Sequence, residues 1–473
     1  MKNIFYKSSL LALTAGVLLT SCEPEIDTPN PTAGSEANFS KYIAVGNSLT
    51  AGFQDNGLYR EGQLSSYPAI LADQFREVGG GNFVQPLFPE NQRNGSGYLR
   101  LVGFTPTGSP ITETVTTERA IRSASPVLFT KFTDPVQNLG VPGIKVAEIK
   151  VQGYGSAQGN PYFERITPDN QAGQTYLQRV QQSTDHTFFS LWLGNNDVLS
   201  YATSGGASSA TSNAITPVNL FDANYSELVN ALTANGQEGI LATIPDVTGI
   251  PFFTTVGPSV KKTLTDNNIP GMVAITGAGK DRIQVATAQI NAPQNGVLFT
   301  LTGASYAPLL GQPTGKYWRD LARQVSPSQD PLIVRGTLAQ LLLNYSVDTT
   351  KMFGFSGENP WPSALLLDVN EQNSVKAATT SFNNIIKAQA QAKGLALWDA
   401  NAYFTSIQSG FGRNGVAYSP AFITGNLFSL DGVHLTPRGY AIVANEMIGA
   451  INAKYSASVP KADETQYRAV LLP

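Results

Sequence analysis

Three polar side chains, one near the start of the chain and two near its end, have the chemistry of an acyl-transfer site. Ser48 lies in Gly46-Asn47-Ser48-Leu49, directly after the apolar run Tyr42–Val45. A serine hydroxyl is a weak nucleophile at neutral pH and needs a neighbouring base. Histidine suits that role because its pKa lies near neutrality. The sequence contains two histidines, His186 and His434, so the choice of base is narrow.

The second histidine is the better candidate, because a carboxylate precedes it by three residues. His434 ends the segment Ser429-Leu430-Asp431-Gly432-Val433-His434, and on one tight loop Asp431 can reach Nδ1 of the ring. Such a contact fixes the tautomer and stabilises the imidazolium. His186 lies just before a predicted strand, in a polar segment, and is predicted to be a surface residue. An Asp-x-x-His segment by itself is also typical of a solvated loop, so the rest of the chain must decide.

The elements around these residues predict an α/β fold. Short apolar runs typical of buried parallel strands occur at Tyr42–Val45, Phe188–Leu193, Gly239–Ile244 and Ala396–Asp399. Helical patterns separate them, so we expect a three-layer α/β/α architecture with a central parallel sheet. A serine at a strand-to-helix turn then lies at the carboxyl edge of the sheet, where open α/β sheets carry their chemistry. The predicted helices are Ser66–Val78, Val146–Val151, Tyr225–Asn235, Gly336–Leu343, Asn370–Lys393 and one after Thr436-Pro437.

The N-terminal segment has the pattern of an export signal. Lys2 and Lys7 precede the apolar run Leu10–Thr20, which ends in Leu19-Thr20-Ser21-Cys22. A cysteine directly after small residues resembles the lipobox of bacterial lipoproteins, in which that cysteine is lipidated and becomes the new N-terminus. An ordinary signal peptide with an incidental cysteine is the alternative. We therefore expect an exported protein of the bacterial cell envelope that is anchored by Cys22 at a membrane surface. Of the two membranes, we expect the outer one.

Composition limits the remaining possibilities. The formal net charge is only −3 and no basic cluster occurs, which argues against nucleic acid as a partner. With one cysteine, the chain forms no intramolecular disulfide, and its His and Cys are too few for a metal cluster. No metal and no cofactor are expected. The predicted divisions are a signal peptide at 1–21, a tether at 22–39, a main domain at 40–253 and 363–473, and an insertion or cap at 254–362.

Four short segments, in this order, resemble the blocks of the SGNH (GDSL) hydrolase superfamily. Gly46-Asn47-Ser48-Leu49 is similar to the block of the nucleophilic serine, although Asn47 stands where an aspartate is usual. The segment from Asn138 to Gly143 is similar to the second block, and Gly194-Asn195-Asn196-Asp197 to the third. Asp431 and His434 are similar to the last. The resemblance covers about 41–78, 137–251 and 365–455, so it leaves the insertion out.

This resemblance implies an esterase or lipase with a flavodoxin-like α/β fold. Ser48 would be the nucleophile, His434 the base and Asp431 the residue that orients it. The Ser48 and Gly143 N–H groups and the Asn196 amide would form the oxyanion hole. The substrate would be an ester, either a lipid or an acylated glycan. A carbohydrate O-acetyl esterase, or a catalytically silent surface binding protein on the same fold, remain as alternatives.

The insertion at 254–362 is too long for a plain connection within a compact domain. It follows the strand that ends at Ile244, so it starts from the edge of the sheet where active-site loops lie. It also contains enough apolar and aromatic residues for a small core of its own. We expect a cap or side domain that helps to form the substrate pocket, the alternative being a passive surface addition.

Overall fold

A computed structural model describes residues 30–105, 110–183, 185–206, 211–293 and 295–473. The predicted signal peptide, the lipidation site Cys22 and residues 22–29 of the predicted tether lie outside these residues. Residues 32–473 form one compact unit. The tether prediction extended to residue 39, but Phe39 is buried and stacks on Phe75 with ring centroids 4.2 Å apart. Residues 32–39 therefore include chain that packs against the main domain.

The secondary structure alternates between strands and helices. The strands, numbered in chain order, are β1 Tyr42–Gly46, β2 Tyr98–Phe104, β3 Pro110–Val115, β4 Ile121–Ala124, β5 Val127–Phe129, β6 Asn138–Gly140, β7 Phe188–Trp192, β8 Glu238–Ala242, β9 Gly271–Ile275, β10 Arg282–Ala286, β11 Leu298–Phe299, β12 Leu366–Leu367, β13 Ala396–Trp398, β14 Phe411–Arg413 and β15 Val416–Tyr418. The α-helices are Ser48–Ala51, Arg60–Leu64, Tyr67–Arg76, Pro161–Arg165, Tyr176–Gln181, Asn196–Thr203, Val218–Leu232, Pro251–Thr254, Val256–Asp266, Lys316–Val325, Pro331–Asn344, Val369–Lys393, Ala400–Ser406 and Pro437–Tyr455.

A five-stranded, all-parallel sheet forms the centre of the fold, which confirms the α/β class. Its strand order is β6-β1-β7-β8-β13, and β1 is buried along its whole length. On one side of β1, Ala44 pairs with Asn138, and on the other Tyr42 pairs with Phe188. The chain thus leaves β1 for the edge strand β6 and then crosses to β7. Loops diverge at such a switch point and leave a crevice at the carboxyl ends of the strands.

Helices flank this sheet and bury it. Tyr67–Arg76 packs with the last helix, Pro437–Tyr455, whose buried apolar residues include Ile442, Met447 and Ile448. Val218–Leu232 packs with the long helix Val369–Lys393. Thr436 caps the last helix by accepting a hydrogen bond from Gly439 N–H, and this cap fixes the segment directly after His434.

Three local predictions were wrong. The helix predicted at Val146–Val151 is a single 3₁₀ turn, Val146–Glu148. The sequence from Asn138 to Gly143 is typical of a turn-rich loop, but its first three residues form β6. Three residues are too few to show a strand pattern, and the glycines and proline around them suggest turns. His186 was expected at the surface, yet it is buried, with Nδ1 2.6 Å from Ser183 O and Nε2 2.9 Å from Leu232 O. In either neutral tautomer one ring N–H can donate to one of these carbonyl oxygens, which offsets part of the cost of burying the ring.

The insertion has its own hydrophobic core. Buried residues such as Val260, Met272, Phe299 and Trp361 form a cluster separate from that of the main domain. This cluster continues to Leu366 in β12, just beyond the predicted boundary at residue 362. None of the helices in the described part of the chain combines the length and the apolar composition that a membrane span requires.

Candidate active site

Ser48 is held by the sharp turn that follows β1. The strand ends at Gly46, and a Cβ atom there would lie 2.5 Å from Trp192 O, so the close approach of β7 requires glycine. Asn47 then accepts a hydrogen bond from Leu49 N–H through Oδ1 at 3.0 Å. Ser48 is the first residue of the short helix Ser48–Ala51, where a backbone N–H has no acceptor within the helix. The turn therefore fixes both the hydroxyl and the N–H of Ser48.

The structure brings Ser48, His434 and Asp431 into one chain of contacts. His434 Nε2 lies 2.8 Å from Ser48 Oγ, and His434 Nδ1 lies 2.9 Å from Asp431 Oδ2. Phe53 packs against the imidazole with ring centroids 4.7 Å apart. Tyr440, on the last helix, donates a hydrogen bond to Phe53 O at 2.6 Å. The imidazole is thus fixed by contacts at both nitrogens and by an aromatic neighbour.

Asp431 is set up to remain ionised. Its Oδ1 accepts hydrogen bonds from Val433 N–H and His434 N–H, both at 2.8 Å, and its Oδ2 accepts one from Asn56 N–H at 2.9 Å. Burial alone would raise the pKa of the Asp431 carboxyl. The adjacent His434 and the backbone donors outweigh burial and hold that pKa well below its usual range. Asp431 therefore presents a negative charge to Nδ1 of His434.

A tight turn at Gln54–Gly57 clamps the loop that carries Asp431. Gln54 and Gly57 exchange both backbone hydrogen bonds, and the two central residues, Asp55 and Asn56, have φ of 51° and 59°. Asp55 accepts a hydrogen bond from Leu430 N–H at 3.0 Å and donates its own N–H to Ser429 Oγ at 2.9 Å. Because Asn56 also binds Asp431, this turn contacts the loop at three successive positions.

The clamp is itself held from the C-terminal end of the chain. Tyr59 donates a hydrogen bond to Asp55 Oδ2 at 2.8 Å, and Arg468 Nη2 lies 2.9 Å from Tyr59 Oη and 3.8 Å from Asp55 Oδ2. Burial raises the pKa of Asp55, while Leu430, Tyr59 and Arg468 oppose that effect. Sequence reasoning missed this network. Its first and last residues, Asp55 and Arg468, are more than four hundred residues apart, so the network forms no local sequence pattern.

Asn196 and Gly143 lie on neighbouring loops. Asn196 is the first residue of the helix Asn196–Thr203, and its Nδ2 donates a hydrogen bond to Ile144 O at 3.0 Å. Val141 N–H donates to Gly46 O at 3.0 Å, which keeps the segment after β6 beside the Ser48 turn. Gly143, between these two contacts, is exposed and has φ of 86°. Asn196 has a second amide hydrogen that its bond to Ile144 does not use.

Asp197 fixes the loop that carries Gly143. Its Oδ2 accepts from Val146 N–H at 2.8 Å, and its Oδ1 accepts from Ala147 N–H at 3.2 Å and from Thr216 Oγ1 at 2.7 Å. Burial raises the pKa of Asp197 to about 6, even though these donors favour its charged form. The Gly-Asn-Asn-Asp segment was singled out as a motif, but the sequence did not reveal this link between the two loops.

A cleft opens beside Ser48 and His434. Its walls come from the loops after β7, β8 and β13 and from the segment around His434. Among the described residues that line it, none lies in the insertion at 254–362. The insertion approaches the loop that carries Asp431 and His434 at Gly432, where a Cβ atom would lie 3.1 Å from Leu301 Cδ2. The insertion thus has a hydrophobic cluster of its own, and none of its described residues lines this cleft.

Among the described residues, no group of three or more His, Cys, Asp or Glu side chains is arranged to hold a metal ion. No protein-family model matches the chain, and no curated protein shows significant sequence similarity to it. The candidate site therefore stands on its own geometry. In that geometry a serine hydroxyl, a histidine ring and an ionised carboxylate are linked by hydrogen bonds in this order.

Proposed function

We propose that this chain is a serine esterase of the SGNH (GDSL) type, which cleaves carboxylic esters through an acyl-enzyme. The observation that carries the proposal is the pair of contacts at His434, 2.8 Å to Ser48 Oγ and 2.9 Å to Asp431 Oδ2. Taken in chain order, the five central strands lie in the order 2-1-3-4-5. This is the order of the flavodoxin-like, doubly wound folds with α/β/α layers, and Ser48 follows the first strand at the switch point.

In the proposed reaction, Ser48 Oγ attacks the ester carbonyl carbon while His434 Nε2 takes the hydroxyl proton. The ionised Asp431 stabilises the imidazolium. When the tetrahedral intermediate collapses, the carbon–oxygen ester bond breaks and His434 gives its proton to the departing alcohol. Water then attacks the acyl-enzyme while His434 accepts a proton from that water. When the second intermediate collapses, His434 returns the proton to Ser48 Oγ and the carboxylic acid leaves.

The negative charge of each tetrahedral intermediate needs donors on the opposite side of the carbonyl. The Ser48 N–H, the Gly143 N–H and the second amide hydrogen of Asn196 are the groups that we assign to this oxyanion hole. Support comes from the contacts of their loops: Val141 with Gly46, and Asn196 with Ile144. Preorganised donors of this kind often supply the largest single part of the rate enhancement.

Covalent labelling tests the proposed function directly. We expect the purified full-length protein to hydrolyse p-nitrophenyl esters and to lose this activity on treatment with diisopropyl fluorophosphate. Peptide mass spectrometry should locate the phosphoryl adduct on Ser48. Hydrolysis that persists after complete treatment, an adduct on another serine, or a protein inactive towards every ester of the series would each overturn the proposal.

We also propose that Cys22 carries a lipid anchor that holds the enzyme at a membrane surface of the bacterial cell envelope. The support is the run of small residues before Cys22, which follows an apolar segment with two lysines ahead of it. Several acyl chains, each contributing about 0.8 kcal/mol per buried methylene, give firm anchoring.

The anchor is tested with a Cys22→Ser variant in cells fed a clickable fatty acid. We expect the unaltered protein to be labelled and to fractionate with membranes, and the variant to be unlabelled and soluble or unprocessed. Equal labelling of the two proteins would remove the anchor proposal and leave the esterase proposal untouched.

A further inference from the structure

The cleft beside Ser48 is apolar over most of its surface. Apolar side chains enter it from four segments that are distant in sequence, so its character does not depend on one loop. The main contributors are Leu199 after β7, Val247 and Ile250 after β8, Phe404 after β13, and Phe428 and Leu435 around the catalytic loop. Val247, Ile250, Phe428 and Leu435 are buried, which makes them a preformed wall.

Two polar side chains that line this cleft, those of Asp246 and Gln408, form hydrogen bonds within the protein. Asp246 Oδ1 accepts hydrogen bonds from Thr248 N–H at 2.9 Å and from Thr248 Oγ1 at 2.7 Å. Gln408 Nε2 donates to Phe404 O at 3.2 Å and Gly249 O at 3.4 Å. A sugar bound in the cleft would have hydroxyl groups facing apolar walls, and unpaired polar groups are costly to bury.

Two buried polar atoms without a partner belong to residues next to Ser48 and Asn196. Asn47 Nδ2 and Asn195 Oδ1 are buried and have no hydrogen-bond partner among the described residues. Each belongs to a residue directly beside a group assigned to the reaction, Asn47 beside Ser48 and Asn195 beside Asn196. The cleft is therefore polar at the position of the ester group and apolar beyond it.

We infer that this cleft binds the unbranched acyl chain of the substrate, and that the enzyme prefers esters of medium-chain fatty acids over acetyl esters. The inference rests on the proposed function and specifies its substrate class. Burying one methylene in an apolar site favours binding by about 0.8 kcal/mol, which corresponds to about fourfold in kcat/KM.

A series of p-nitrophenyl esters from acetate through butyrate, hexanoate and octanoate to palmitate measures this preference. We expect kcat/KM to rise by about threefold to fourfold per methylene until the cleft is filled, and then to level off or fall. A parallel series of acetyl esters of the matching alcohols separates the two halves of the ester. A rise in that second series alone would assign the cleft to the alcohol and overturn the inference, as would a flat acyl series.

Variants of the walls make the test specific to this cleft. Leu199→Trp narrows the cleft, and we expect it to lower the octanoate-to-acetate ratio of kcat/KM at least tenfold. Phe404→Ala widens it and should move the optimum towards longer chains. Leu220→Trp is the matched control, because Leu220 is 39% exposed on the helix Val218–Leu232 and does not line the cleft. Its acyl profile should equal that of the unaltered protein.

The outcomes separate the inference from the function on which it rests. A folded protein with no esterase activity would refute the proposed function itself. A different result is an active enzyme that is labelled on Ser48 and inhibited by that label, but whose acyl profile is the same in Leu199→Trp, Phe404→Ala and Leu220→Trp. It would leave the esterase in place and refute the acyl-chain cleft. The melting temperature of each variant shows whether it is folded, and opposite shifts in the two wall variants cannot come from general destabilisation.

Discussion

Replacement of Ser48 by alanine, or of His434 by alanine, is expected to lower kcat for ester hydrolysis by about 10⁴–10⁶. Each change removes one end of the contact between Ser48 Oγ and His434 Nε2, and neither group can act without the other. The effects should therefore not add: a protein carrying both substitutions should be no slower than either single variant. Steady-state kinetics with a p-nitrophenyl ester measures all three.

The fold of these variants should be unchanged. Ser48→Ala removes one oxygen atom from a turn that Gly46 and Asn47 already fix, so its circular dichroism and melting temperature should match those of the unaltered protein. Ser374→Ala, at an exposed position of the helix Val369–Lys393, is the control and should keep full activity. More than a few per cent of the original activity in a folded Ser48→Ala or His434→Ala protein would contradict the assignment.

Replacement of Asn196 by alanine is expected to lower kcat by about 10²–10³ with little change in KM, the usual loss for one oxyanion donor. Because Asn196 also donates to Ile144 O, the variant disturbs the Gly143 loop as well. A matched control must disturb the same loop without touching the oxyanion. Asn224 provides it, since its Nδ2 donates to Val146 O at 2.9 Å from the helix Val218–Leu232.

The comparison of these two variants decides between two roles of Asn196. We expect Asn224→Ala to lower the melting temperature while kcat falls by less than tenfold. If both variants lose kcat to the same extent, the role of Asn196 is to position the loop. If Asn196→Ala changes KM alone, the residue binds substrate and does not stabilise the transition state.

Much of this fold could be predicted from the sequence because the strands of a parallel sheet, buried on both faces, appear as continuous apolar runs. The strands Tyr42–Gly46 and Phe188–Trp192 were found in this way to within one residue. The helix predicted at Asn370–Lys393 is Val369–Lys393, and the structure adds a capping box between Asp368 and Glu371. β6 was not found, because a strand of three residues next to a Pro-Gly turn carries no periodic signal.

The site divides in the same manner. Asp431 and His434 were identified because they lie three residues apart on one loop, and Ser48 because it follows a strand. Asp55, which binds the backbone of that loop, was missed because its partners Leu430 and Arg468 lie hundreds of residues away and depend on the folded chain. The same holds for the cleft walls, whose apolar residues look like ordinary core residues in the sequence.

The sequence separation of the reacting groups has a consequence for how the chain acquires activity. Ser48 and His434 are 386 residues apart, and the central strand β1, which precedes Ser48, pairs only with strands that are made much later. Closing such long loops costs chain entropy before any contact repays it, so the sheet must form late and cooperatively. A chain interrupted before Asp431 therefore has the proposed nucleophile but neither the carboxylate nor the base. If the chain is the proposed esterase, its hydrolytic activity requires synthesis past His434, and a shorter copy is expected to be inert.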